Sequence, residues 1–183
     1  MTGGWEYAAV RAGSVLAVLV LGATGCGDGA VGGSDAAQQS RVESEAGEVA
    51  CGRPFTLPAS GGLLITGRFA DSVPAGQQTL RGTVQVTSRD TVRGVAAPAA
   101  DLFLVREGRV VAMPPAQDAI GVRLDLAAGE TREMAATAAL ASCKPEGGPL
   151  APGGYELYAR VVLTADDGAA QRAFGGPWRL RLR

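Results

Sequence analysis

Apolar and polar residues alternate in short runs through the C-terminal two thirds of the chain. The segment Leu80–Thr87 shows the pattern most clearly, because every second side chain from Leu80 to Val86 (Gly82 apart) is aliphatic and those between are polar or charged. A period of two is typical of a strand with one buried face. The same reasoning predicts a strand over Leu63–Phe69, and a hairpin of Asp101–Val105 and Arg109–Met113 around a tight turn at Glu107-Gly108.

The last third of the chain predicts a second hairpin. A strand over Glu156–Thr164 is followed by the turn Asp166-Asp167-Gly168 and by a return strand from Gln171 to the end. Gly175-Gly176-Pro177 interrupts the return strand and predicts a bulge. Beyond the bulge, apolar side chains alternate with three arginines, which places Trp178, Leu180 and Leu182 on one face.

Two other segments are less regular. Val122, Leu124 and Leu126 alternate with charged residues and predict a further strand. The segment Thr131–Cys143 is rich in alanine, which favours helix by propensity, although its apolar residues also fit a period of two. We predict a strand there, because its neighbours are all strands, and keep a helix as the alternative.

About seven or eight short strands separated by turns predict an all-β fold of the sandwich type. The segment from Leu150 through Pro152-Gly153 to Tyr155 resembles the tyrosine corner of immunoglobulin-like sandwiches. This resemblance implies an immunoglobulin-like β-sandwich in which the Tyr155 hydroxyl bonds back to the backbone. Leu157 stands where antibody domains have their second core cysteine, so their usual disulfide is ruled out.

The strand layout also resembles the immunoglobulin-like domain of bacterial BsuPI-type proteinase inhibitors. The resemblance is one of architecture, and no inhibitory motif carries over residue by residue. It implies an alternative function, the inhibition of secreted or envelope proteases through a loop such as Ala112–Ile120.

The N-terminal segment predicts an export signal. An apolar stretch from Ser14 to Ala23 is too short for a comfortable membrane span and ends in Ala23-Thr24-Gly25-Cys26. This ending resembles the lipobox of bacterial lipoproteins, which implies removal of residues 1–25 and a lipid on the thiol of Cys26. An ordinary secretory signal and an uncleaved anchor are the alternatives, and translation starts either at Met1 or near Val10. All of these place the rest of the chain outside the cytoplasm.

Residues 26–48 predict a flexible acidic tether. They are rich in glycine, alanine, serine and glutamine, and five acidic residues stand against a single arginine. So polar a segment buries too little apolar surface to offset its chain entropy. The folded domain is therefore predicted over residues 49–183, where the weak positive charge does not indicate nucleic-acid binding.

The residue types that the chain lacks exclude several kinds of catalytic and metal-binding site. The chain has no histidine, which excludes Ser-His and Cys-His catalysis and imidazole metal sites. After Cys26 only Cys51 and Cys143 remain, and such a pair in an exported protein predicts a disulfide, with two free thiols as the alternative. We expect no enzymatic activity, cofactor or metal.

The remaining candidate groups each have a structural explanation. Asp166-Asp167 suits a calcium or acid–base site, but between two strands it is more typical of a turn. Ser142 and Lys144 flank Cys143 on a predicted loop, which disfavours a Ser-Lys dyad. The aromatic residues Tyr155, Tyr158 and Trp178 suit a sugar-stacking set, but they are more typical of core residues. The arginines Arg179, Arg181 and Arg183 form a basic stripe, which is more typical of a charged edge strand than of a binding surface.

Together the patterns predict a lipid-anchored, extracytoplasmic, non-catalytic binding or structural module of the cell envelope. Its expected partners are the membrane, through the lipid on Cys26, and an envelope protein or polysaccharide that the sequence does not identify.

Overall fold

The computed structural model describes residues 48–59, 61–117 and 120–183, and every regular element in these ranges is a β-strand. The predicted signal peptide, Cys26 and nearly all of the tether lie outside the described residues. Within these ranges no helix has the length and apolar character needed to cross a bilayer. The ten strands are β1 (Leu63–Arg68), β2 (Ser72–Val73), β3 (Thr79–Ser88), β4 (Gly94–Ala96), β5 (Ala99–Arg106), β6 (Arg109–Ala112), β7 (Val122–Arg123), β8 (Thr131–Ala139), β9 (Gly153–Ala165) and β10 (Ala170–Leu182).

The strands pair in the order β1-β3-β8-β5-β9-β10-β2, with β6 beside β5 and β4 beside β9. Strands β1, β3 and β8 form one half, and β6, β5, β9 and β10 form the other. A short parallel pairing of β5 with β8, over residues 99–101, joins the halves into one curled sheet. The order within each half follows that of immunoglobulin-like sandwiches. The predicted all-β sandwich is confirmed, with more strands than expected because β2 and β4 are too short to leave a pattern.

The alanine-rich segment is a strand rather than a helix. Strand β8 pairs with β3 along its whole length, from Thr131 opposite Thr87 to Ala139 opposite Thr79. Met134, Ala136 and Ala138 are buried between the halves. Burial of a period-two face therefore overrides the helix propensity of alanine.

The main core lies between the two halves and is almost entirely aliphatic. Each long strand contributes every second residue, as the alternation predicts. Its fully buried members include Leu80, Val84, Val86, Leu102, Leu104, Leu157 and Leu163.

The predicted interruption of β10 is also present. The pairing of β9 with β10 shifts register between Gly175 and Trp178. Strand β1 crosses β10 here, and a Cβ on Gly175 would lie 2.7 Å from the carbonyl oxygen of Ile65. Only glycine therefore allows this close crossing. Beyond it, Leu180 is buried and Trp178 packs on Phe69, with ring centroids 5.1 Å apart.

A second, smaller cluster lies on the outer face of β5, β9 and β10. Residues 49–59, which we call the strap, cross this face before β1 begins. The Phe55 ring lies 4.8 Å from Phe103 and 4.9 Å from Tyr158, centroid to centroid. The buried members of this outer cluster are Val49, Phe55, Phe103, Val105, Val110 and Tyr158.

The strap also covers the free edge of β6. The amide of Gly52 donates to the Val110 carbonyl at 2.8 Å, that of Val110 donates to Arg53 at 3.0 Å, and that of Phe55 donates to Gly108 at 2.9 Å. An exposed sheet edge invites pairing with other chains, so the strap protects this one.

The strand expected around Val122 is mostly absent. Strand β7 is two residues long, and Val122 is exposed rather than buried. Leu124 and Leu126 are buried as expected, but they are held by separate hydrogen bonds to Gly94 and Val92. The segment lies at the margin of the sheet, where only its second half reaches the core.

Candidate functional site

Cys51 and Cys143 are joined by a disulfide, with their Cα atoms 5.7 Å apart. This agrees with the predicted pairing. The amide of Cys143 donates to the Val111 carbonyl at 3.0 Å, so the bridge lies beside β6. It ties the start of the strap to the loop between β8 and β9.

Tyr155 forms the hydrogen bond expected of a tyrosine corner. Its hydroxyl donates to the carbonyl of Ala151 at 2.6 Å, and the side chain is buried. Leu157, at the antibody cysteine position, is a fully buried core residue. The corner therefore ties the start of β9 to the loop that precedes it.

Arg106, at the end of β5, covers this corner. Its Nη1 donates to the Tyr155 hydroxyl at 3.3 Å, and its guanidinium carbon lies 5.4 Å from the centre of the ring. Gly153 lies beneath the guanidinium, where a Cβ would be 3.5 Å from Nη2. The φ of Gly153 is +144°, a backbone conformation that favours glycine. The hydrogen bond, the aromatic ring and the close backbone together restrict the Arg106 side chain.

A cleft of about 470 Å³ opens between this corner and the end of β10. Gly154 lies opposite Arg181 in the β9–β10 pairing, and Glu156 lies opposite Arg179. Gly154 contributes only its backbone to the lining. The lining residues are Asp71, Val105, Arg106, Glu107, Gly108, Gly154, Tyr155, Glu156, Arg179, Leu180 and Arg181.

Three arginines and three carboxylates line the cleft. Within the described part of the chain, Arg179 and Arg181 make no side-chain ion pair or hydrogen bond. Glu156 accepts a hydrogen bond from the Tyr158 hydroxyl at 3.1 Å. Burial raises the pKa of Tyr158 to about 12, and the negative charge of Glu156 adds to the shift. Glu107 is exposed at the rim, 3.7 Å from Nε of Arg106.

A second groove, of about 380 Å³, lies on the other side of the same hairpin turn. Arg106 and Glu107 line both the cleft and this groove. Gly52, next to the disulfide, also lines the groove. The cleft and this groove therefore both border the turn between β5 and β6.

Asp166 and Asp167 are turn residues. Asp166 forms an ion pair with Arg123 at 2.7 Å, and Asp167 accepts a hydrogen bond from the Ala169 amide at 2.9 Å. The hydrogen bond from Arg123 lowers the pKa of Asp166. Among the described residues there is no group of three or more side chains suited to hold a metal ion.

The structure separates the other candidate groups. Ser142 Oγ accepts a hydrogen bond from the backbone amide of Lys144 at 3.2 Å, as in a loop turn. Tyr158 lies under the strap while Trp178 packs on Phe69, so neither joins Tyr155 in a stacking surface. Only two members of the basic stripe line the cleft, because the Arg183 side chain turns to Ser72.

Sequence reasoning missed Arg106 and the outer cluster. Nothing in its local sequence distinguishes Arg106 from the other arginines at strand ends. The outer cluster did leave a signal, because Phe103, Tyr158 and Phe174 occupy positions where an exposed strand face would carry polar residues. Their partner Phe55 is distant in sequence, so its role was not visible.

No protein-family model matches the chain, and no curated protein matches its sequence. Among solved structures, a β-glucosidase from Listeria innocua in complex with glucose is similar with a TM-score of 0.36 and 13% identity, covering 66% of this chain and 16% of that one. Spo0M, a sporulation control protein from Bacillus subtilis, gives a TM-score of 0.35 and 18% identity, covering 67% and 50%. The chain thus spans only a minor part of the glucosidase and half of Spo0M.

Proposed function

We propose that this protein is a lipid-anchored, non-catalytic binding module on the outer side of the cytoplasmic membrane. The lipid is on Cys26, residues 26–48 are the tether, and residues 49–183 are the binding domain. The disulfide between Cys51 and Cys143 is the observation that carries the extracytoplasmic location, because such bridges persist in oxidising compartments.

The cleft supports the binding role. Its lining includes Arg179 and Arg181, whose side chains have no ion-pair or hydrogen-bond partner among the described residues, and the backbone of Gly154, which carries no side chain. Polar groups that converge on a concave surface are typical of ligand sites. Residues 26–48 would let the domain search the space around its anchor while holding it at the membrane.

Detergent-phase partition tests the anchor. We expect the wild-type chain in the detergent phase and Cys26→Ser in the aqueous phase, since serine cannot accept the lipid through a thioether. Mass analysis of the N-terminal peptide should show a diacylglyceryl group on Cys26. Recovery of the wild type in the aqueous phase with an unmodified Cys26 would contradict the proposed lipid anchor.

Protease inhibition is the second candidate function. Ile120, at the end of the proposed inhibitory loop, is 67% exposed, more than any other large apolar side chain that the structure describes. Gln117 braces the same loop by donating to Asp101 at 2.7 Å. An exposed apolar side chain on a loop suits substrate-like inhibition. Residues 118 and 119 lie outside the described part.

An assay against secreted serine proteases separates the two functions. An inhibitor should lose potency on Ile120→Asp and keep it on Val122→Asp, which changes another exposed apolar residue nearby. A binding module should leave every protease active in both forms.

A further inference from the structure

We propose that an extended peptide segment of another protein binds by strand addition at a cavity between the edges of β1 and β10. This cavity, which we call the edge cavity, has a volume of about 470 Å³ and is lined by residues 61–63, 90–92 and 171–173. It lies at the opposite end of the β9–β10 hairpin from the cleft, because Gln171 is opposite Leu163 and Arg181 is opposite Gly154. The inference therefore concerns a separate surface and goes beyond the proposed function.

The β10 wall of the edge cavity presents backbone groups that no strand pairs with. The amide of Ala165 donates to the carbonyl of Ala169 at 2.8 Å, which makes these two residues a hydrogen-bonded pair. Such pairs alternate along an antiparallel ladder, so Gln171 and Ala173 direct their backbone groups to β9. Arg172 lies between them and directs its N–H and C=O away from β9, where neither group has a partner among the described residues.

The β1 wall presents a second set of such groups. The amide of Arg89 donates to the carbonyl of Gly62 at 2.8 Å, so Gly62 faces β3 and the next residue, Leu63, faces away from it. The same alternation directs the carbonyl of Ile65 toward β10, and this oxygen is 2.7 Å from where a Cβ on Gly175 would be. Two strand edges therefore face each other across the cavity.

Both strands leave the cavity in the same direction. Strand β1 runs from Leu63 to the crossing at Ile65, and β10 runs from Ala173 to the same crossing at Gly175. A segment that lies antiparallel to β10 is therefore antiparallel to β1 as well. The backbone groups of successive residues in an extended segment point in opposite directions, so they would reach Arg172 and Leu63 in turn. A peptide backbone is the ligand that matches this arrangement.

The floor of the edge cavity is apolar and selects one face of the bound segment. Leu63 and Ala173 are buried, and Val92 packs against the main core. The bound residue opposite Arg172 places its side chain on the outer face, beside the Arg172 side chain. The two residues that flank it place theirs on the inner face, over the apolar floor. The floor therefore favours medium-sized apolar residues at these two positions.

Arg172 favours an acidic residue between the two apolar ones. Its side chain forms no ion pair or hydrogen bond within the described ranges, unlike Arg160, which is paired with Asp101 at 2.7 Å. The other charged residue of the lining is Asp90, on the β1 side, whose Oδ2 is 3.9 Å from where a Cβ on Gly62 would be. The expected ligand is thus an extended segment in which an acidic residue stands between two apolar residues.

Nuclear magnetic resonance titration tests the proposal with the isotope-labelled full chain carrying Cys26→Ser, so that no lipid is present. The probe is a capped five-residue peptide with glutamate at the centre, valine on either side and threonine at both ends. We expect the largest shifts at the amides of Arg172 and Leu63, and none at Gly154 in the cleft. Methylation of the glutamate amide nitrogen removes the donor to the Arg172 carbonyl and should weaken binding about tenfold.

Two variants test the side-chain contacts. Arg172→Glu should reverse the preference, so that a peptide with lysine at the centre binds more tightly than the glutamate peptide, whereas Arg81→Glu in the other half should leave the preference unchanged. Gly61→Leu places a side chain in the cavity and should weaken binding at least tenfold. Its matched control is Gly154→Leu, because no atom lies within 4 Å of a Cβ at either glycine. Unchanged circular dichroism spectra establish that the variants are folded.

Any of four results would overturn the proposal: no shift at Arg172, equal binding of the methylated peptide, unchanged binding by Gly61→Leu, or no reversal by Arg172→Glu. A wild-type dimer that the peptide dissociates would also overturn it, since a second copy would then be the occupant of the edge. Detergent partition of the wild type is independent of all these results, so the proposed function fails or stands separately.

Discussion

The two faces of the β5–β9–β10 sheet are covered in different ways. On the inner face, aliphatic side chains such as Leu104 and Leu157 pack against the opposite half of the sandwich. On the outer face, Phe103 and Tyr158 are covered by one irregular segment, the strap, through Phe55. The inner face is thus closed by long paired strands, and the outer face by a few backbone hydrogen bonds and one disulfide.

This difference indicates two levels of stability within one domain. The inner core is lost only when strand pairing between sequence-distant segments is lost. The outer cluster depends on the strap, which can separate from the sheet while the sandwich stays folded. Local opening of this kind costs less free energy than global unfolding.

The largest expected effect is in the inner core. Leu157→Ala removes a fully buried side chain and should lower the free energy of unfolding by about 3–5 kcal/mol, through lost burial and the cavity left behind. Urea denaturation measures the change. Leu64→Ala, at an exposed position of β1, is the control, and a similar loss in both variants would contradict the assignment of the core.

Removal of the disulfide should have the second largest effect on stability, and the effect should be greatest on the outer face. Replacing Cys51 and Cys143 together by serine should cost about 2–4 kcal/mol, because the bridge restricts the unfolded chain. Hydrogen exchange should show the larger acceleration at the amides of Phe55 and Val110, which the released strap exposes by local opening, and a smaller one at Leu157, which exchanges through global unfolding. Equal acceleration at all three would mean that the two faces are not separable.

Tyr155→Phe tests the corner that both faces share. It removes the hydrogen bond to Ala151 and keeps the ring, so we expect a loss of about 1–2 kcal/mol. Tyr158→Phe is the control, since its partner Glu156 borders the open cleft and can be hydrated. If Tyr155→Phe melts like wild type, the corner contributes nothing to stability.

The smallest effect is a dependence of stability on alkaline pH. The pKa of Tyr158 rises from 10.0 to about 12 in the folded chain. The unfolded chain therefore loses this proton first, so the contribution is complete below pH 10 and is lost as the pH rises toward 12. Phenolate absorbance follows the titration. Tyr158→Phe should show a shallower fall in stability over this range, and an identical fall would rule out the outer cluster as the cause.

The strands that could be predicted from sequence are those that bury one face. Strands β3, β9 and β10 alternate because one side contacts the core and the other contacts solvent, so the pattern is local and readable. The very short strands β2 and β4 hold too few residues for a period. The strap follows no period either, because its position depends on pairing with β6, far away in the sequence.

The candidate site was predictable only in part. Arg179 and Arg181 were visible as a basic stripe, since they alternate with core residues on one strand. Arg106 and Gly154 come from other strands, and only the fold brings them to the same cleft. Local patterns describe which face a side chain occupies and contain no information on its neighbours across the sheet.

The position of the disulfide has a mechanical consequence. A pull on the chain before Cys51 passes through covalent bonds to Cys143, in the loop that connects β8 with β9. These strands belong to different halves of the sandwich, so the load divides between both halves. The part of the strap after Cys51, residues 52–59, lies outside this path and is not peeled from the sheet. Tension applied from the N-terminal side is therefore carried by the two central strands, while the contacts of Phe55 remain unloaded.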